Sequence, residues 1–100
     1  MRGALFENLV ISEQFKHKFN FNLQNDFYFY RTSSGIEVDL VEENGGFLIP
    51  SEIKSASTFS PQFVKNIKVF ESEYGERVKD ARVFYNGQDM VFQGVKVCTF

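Results

Sequence analysis

Residues 35–56 read GIEVDLVEENGGFLIPSEIKSA, and the fold turns on how this stretch is paired. Asn44-Gly45-Gly46 is a hairpin signal, because asparagine and glycine accept the positive φ that a tight β-turn demands. Before it, residues 36–43 alternate Ile36, Val38 and Leu40 against Glu37, Asp39 and Val41, as a strand with one polar-bearing face does. After it, residues 47–56 return as a second strand, in which Pro50 requires a bulge or an unpaired backbone edge. Side chains alternate faces, so Glu37 and Asp39 are expected on one face, and Glu52 and Lys54 on one face. An antiparallel hairpin lets both polar pairs point the same way.

Working outward, residues 4–19 carry Leu5, Leu9, Ile11, Phe15 and Phe19 near helical spacing, which predicts a first helix. An asparagine-rich break follows at 20–25, then an aromatic strand, DFYFYRT, at 26–32 and a turn at Ser33-Ser34-Gly35. Downstream, Ser60-Pro61 opens a second helix, with serine as the cap and proline in the first turn. Phe63, Ile67, Phe70 and Tyr74 form its apolar stripe, and Gly75 ends it. ARVFYN, DMVFQ and VKVCTF supply three short strands, with Asn86-Gly87 expected to turn the first into the second. The fold class is α/β (α+β): a small mixed sheet flanked by helices, with a crossover through the second helix.

One hundred residues is the size of a single domain, taken here as residues 1–100. The chain has 43% apolar residues and 13 phenylalanines, so aromatic bulk fills much of the core. A formal charge of −2 excludes a surface that clamps nucleic acid all round, though not a local basic groove. The single cysteine, Cys98, has no partner for an internal disulfide or a zinc site, which points to a reducing, cytoplasmic setting. No apolar run approaches the ~20 residues that span a bilayer, so no membrane partner is expected. The abrupt start and finish suggest a domain cut from a longer protein.

The chemistry concentrates on the hairpin. Residues two apart on a strand stand ~6.6 Å apart, so Asp39 and Glu52 on adjacent strands can hold one cation between them. Magnesium and similar hard ions take one or two protein carboxylates and keep several waters. Lys54 beside such an ion can orient a water or stabilise charge on a phosphate. Glu7, with Ala4, Val10 and Ile11 as its helical neighbours, faces inward and needs a partner or a metal.

These residues carry a resemblance. Asp39, followed by Glu52-Ile53-Lys54 and preceded by a helix bearing Glu7, resembles the PD-(D/E)xK nuclease superfamily. GALFENLV, FYFYRTSSGIEVDLV and FLIPSEIKSA are closer still to one branch. That branch is the C-terminal domain of unknown function found behind the nucleotide-binding module of prokaryotic AAA-type ATPases. The resemblance covers most of residues 3–70 and continues weakly through ARVFYNG. It implies a restriction-endonuclease-like αβββαβ core with extra C-terminal strands, in the C-terminal fragment of a longer ATPase. By the resemblance Asp39, Glu52 and Lys54 are catalytic positions, and Glu7, Asp39 and Glu52 are ligands of Mg2+ or Mn2+. Val38 stands where the superfamily name has proline.

The implied activity is magnesium-dependent phosphodiester hydrolysis with DNA as partner. The alternative is a catalytically inactive nuclease-fold module for protein or nucleic-acid recognition or oligomerisation. ATP would bind only in an upstream domain, since no P-loop pattern occurs here. For the acids and Lys54, the plainer reading is a salt-bridge cluster on a solvated sheet face. Glu37 is given a supporting role, as a further ligand or a partner of Lys54. Arg31, Lys65 and Lys68 could contact phosphates, but a lysine-bearing helix face is usually just solvated, as is Lys16-His17-Lys18. Ser55 and Ser57 lack a histidine base and are not nucleophiles.

Overall fold

A computed structural model describes residues 25–99. The expected first helix, the break after it up to residue 24, Glu7 and Lys16-His17-Lys18 lie outside them. Within them the order is β1 (Asp26–Arg31), β2 (Glu37–Asn44), β3 (Phe47–Ile53), a 3-10 turn (Pro61–Val64), α1 (Lys65–Tyr74), a second 3-10 turn (Gly75–Arg77), β4 (Arg82–Tyr85), β5 (Met90–Phe92) and β6 (Val95–Thr99). All six strands form one mixed sheet in the order β1-β2-β3-β4-β6-β5.

The first three strands are antiparallel neighbours, and β4 lies parallel to β3 after the α1 crossover. This strand-strand-strand-helix-strand succession is the one anticipated for the core, with β5 and β6 added. The β2–β3 turn is tight because Gly45 and Gly46 take φ of 58° and 88°, open to glycine at no steric cost. Pro50 sits opposite Val41, one residue before β4 begins to pair with β3 at Ser51. The unpaired-edge solution to that proline is therefore the one used, and β3 keeps its register without a bulge.

The bulge falls on β2 instead. Tyr28 stands opposite Val41 but Tyr30 stands opposite Val38, so two steps on β1 span three on β2. The strict alternation expected from 36 to 43 fails there: Val38 packs with Val41, Leu48 and Phe70 in one cluster under α1. Tyr30 meets Phe70 edge-on and Tyr74 meets it at a tilt, at ring separations of 4.9 and 4.7 Å. A second cluster joins Val64 and Ile67 to Ala81, Val83, Tyr85, Val95 and Val97, with Phe59, Phe63 and Phe92 at its margin. The amphipathic helix thus covers one sheet face with its predicted stripe. Ser60 caps the 3-10 turn that leads into it by accepting the Gln62 N–H, and Gly75 ends the helix.

The Asn86-Gly87 expectation is corrected. β4 and β5 are not neighbours, because β6 lies between them and runs parallel to β4. The tight hairpin is β5–β6, through Gln93 and Gly94 at φ of 51° and 80°. Asn86-Gly87 instead begins a loop that Tyr85 organises: its hydroxyl accepts from Gln88 N and donates to Gln88 O, each at 3.0 Å. Among the described residues no helix is long and apolar enough to cross a membrane.

Candidate functional site

Register decides where the acids fall. The β2–β3 ladder runs from Asn44–Phe47 to Leu40–Ser51, and Asp39 and Glu52 are the next residues in line on the two strands. There the strands separate and a side chain takes over from the ladder. Asp39 Oδ2 accepts the backbone N–H of Ile53 at 2.9 Å. The carboxylate is thereby fastened to the residue lying between Glu52 and Lys54.

Glu52 pairs in register with Val83, which packs against Ile67 of α1, so Glu52 belongs to the helix-covered face. It is fully buried, and Asp39 is only 4% exposed. Lys54 Nζ lies 3.1 Å from Glu52 Oε2 and 6.0 Å from the centroid of Phe63, which caps the ammonium with an aromatic face. Two buried carboxylates thus lie at the end of a central strand, Glu52 beside a partly exposed ammonium, in a place that costs each acid its solvation. That is unlike the solvated salt-bridge face of the plainer reading.

The remaining charged residues divide differently. Glu37 stands opposite Arg31 in the β1–β2 register and pairs with it, Oε2 to Nε at 3.7 Å. Lys68 is engaged by Glu71 at 3.0 Å and by the Gln93 carbonyl at the β5–β6 turn. Lys65 is exposed at the start of α1. On the opposite sheet face Glu42 is buried, with Arg82 at 3.9 Å and the Asn25 amide donating to it at 2.8 Å. Burial pushes the Arg82 guanidinium below its ordinary value, and the Glu42 carboxylate opposes that shift. This second buried pair was not singled out in the sequence, where Glu42 looks like any polar residue near a turn.

Sequence reasoning also missed two supports of the site. The Ile53 amide is a backbone donor that no side-chain motif reveals. Phe63 could have been found, because it stands in the predicted apolar stripe just before the helix that covers Glu52. A third feature adjoins them: Ser55, Ala56, Ser57 and Asn86 line an open groove of about 550 Å³ beyond the ends of β3 and β4.

The donor chemistry fits a magnesium-type ion. Asp39 and Glu52 are hard oxygen donors brought to adjacent positions, and one or two carboxylates are what such an ion takes from a protein. Among the described residues no group of three histidine, cysteine or acidic side chains is positioned to hold a metal, and Glu7 lies outside them. Waters would complete the shell of an ion held by two carboxylates.

No curated protein matches the chain. The family model described as a domain of unknown function, DUF4143, matches residues 2–99, essentially the whole chain. The chain belongs to the DUF4143 family.

Proposed function

We propose that this chain is a PD-(D/E)xK nuclease-like domain, serving an AAA-type ATPase module and hydrolysing phosphodiester bonds of DNA with Mg2+ or Mn2+. One observation carries the reading: the Asp39 carboxylate is hydrogen-bonded to Ile53, between the buried Glu52 and the Lys54 ammonium. A scattered or solvated arrangement would have left the motif as a coincidence of spelling. The strand and helix order is in keeping with the resemblance that the motif suggested.

In this reading Asp39 and Glu52 hold the ion, with Glu7 as the third ligand. A bound ion supplies Lewis acidity toward a phosphoryl oxygen and lowers the pKa of a coordinated water. The protein's own residues do the rest. The Ile53 N–H fixes the rotamer of Asp39, and the β2 bulge aims it off the β1 pairing line. Lys54, held between Glu52 and the Phe63 ring, presents a positive charge where a phosphate gains negative charge in the transition state. The helix-covered face excludes water on one side and strengthens these interactions.

The test is incubation of the chain with plasmid DNA in magnesium and, separately, in manganese. The reading expects ion-dependent cleavage that Lys54→Ala and Asp39→Asn abolish while the fold is kept. Intact DNA with either ion would overturn the hydrolytic role and favour a non-catalytic recognition module.

A further inference from the structure

The groove beyond Lys54 is not used by the site as described. It lies where the chain leaves the carboxyl ends of the parallel strands β3 and β4, the side of an α/β sheet on which ligands collect. Its walls are tied together. Lys54 N donates to Phe84 O at 2.8 Å, and Asn86 N donates to Ala56 O at 2.8 Å, so the strand pairing is extended past both strand ends. The lining is two hydroxyls, a methyl and a carboxamide, with no carboxylate. It opens at Ser55, the residue that follows Lys54 in the chain.

Uncharged hydroxyl and amide groups of this kind contact the phosphates and sugars of nucleic acids, fixing register without reading bases. The chain carries a net charge of −2, so binding by a broad basic surface is not available to it. Placed neutral donors beside one ammonium are an alternative means of seating a polyanion.

We infer that this groove seats the sugar-phosphate next to the one at Lys54, with Ser55, Ser57 and Asn86 as its hydrogen-bond donors. The substrate is therefore a strand that continues past the reacting phosphodiester, not an isolated phosphate monoester. The inference rests on reading Asp39, Glu52 and Lys54 as a phosphodiester site.

The experiment is fluorescence anisotropy of a fluorescein-labelled twelve-nucleotide oligodeoxythymidylate, titrated with the chain in calcium so that hydrolysis does not intervene. The same sequence as a duplex with oligodeoxyadenylate forms a second arm, which separates single-stranded from double-stranded sources of the phosphodiester. Loss of hydrogen bonds to a charged group weakens binding about tenfold per bond, which is expected of Asn86→Ala and of Ser57→Ala. Ser57→Glu should weaken it further and Ser57→Lys should tighten it, a sign reversal that a merely destabilised fold would not give. Ser57 and Asn86 are both exposed, so unfolding midpoints should match the parent's. Equal affinity of parent and variants for both oligonucleotides overturns the groove assignment alone. Absence of binding by the parent overturns both readings. Groove-dependent binding without cleavage overturns only the hydrolytic one.

Discussion

Replacing Glu52 by glutamine should leave the fold intact or make it more stable, although Glu52 is fully buried in a central strand. At 3.1 Å the attraction to Lys54 is about 5 kcal/mol for an effective dielectric of 20. Lys54 keeps a quarter of its side-chain surface, so solvent screens that attraction. Removing a carboxylate from water costs several kcal/mol, which nearly cancels what remains. Glutamine fills the same volume without the desolvation cost, and a gain between about 0 and 2 kcal/mol is expected. Lys54→Met is the opposite case, because it leaves the buried carboxylate with its neighbouring cation gone. Breaking a fully buried pair costs about 3–5 kcal/mol; partial exposure of Lys54 lowers the expectation to about 2 kcal/mol. Urea unfolding of parent and variants, with slopes checked for equality, reads both numbers. A loss above about 2 kcal/mol in Glu52→Gln, with Lys54→Met neutral, would instead show Glu52 to be a structural anchor.

Other outcomes follow from the same packing. Phe70→Ala should cost about 3–5 kcal/mol in urea unfolding, since Phe70 is fully buried among Val38, Val41, Leu48, Tyr30 and Tyr74. Gly46→Val should cost about 1–2 kcal/mol, because a β-branched side chain resists φ of 88°, whereas Gly45→Asn should be tolerated at φ of 58°. Burial raises the Cys98 thiol above its ordinary value of 9.0, with the Asp89 carboxylate adding to the shift. The folded state therefore binds the proton more tightly, and this stabilising contribution is lost as pH rises past 9.0. Alkaline unfolding of Cys98→Ala should accordingly be less steep there than the parent's, and the parent's thiol should alkylate slowly at pH 8.

Much of the fold was legible because its signals are local. Gly45-Gly46, Ser60-Pro61 and Gly75 announce turn, cap and stop through backbone freedom or its loss, and each acts where the sequence places it. The face of α1 could be read because apolar spacing is set by helix geometry alone. What escaped depends on neighbours distant in the chain. The β2 bulge exists only against β1, and nothing in EVDLV marks one residue as extra. The insertion of β6 between β4 and β5 is a choice of pairing, so Asn86-Gly87 reads as a hairpin although it is not one. At the site, residue types and hairpin pairing could be inferred, and Asp39 does meet the Glu52-Ile53-Lys54 strand. The partner of Glu37 is Arg31 on β1, a pairing that the β2–β3 hairpin pattern does not reveal. The Ile53 amide was invisible because every residue but proline carries one.

The most direct test of the account is calorimetric titration of manganese into the parent chain and into Asp39→Asn. Two carboxylates at the meeting point of β2 and β3 predict a single saturable site in the parent and none in the variant, with both chains folded. Equal binding in the two, or no binding in the parent, would contradict the claim that these strands bring Asp39 and Glu52 together to hold a hard cation.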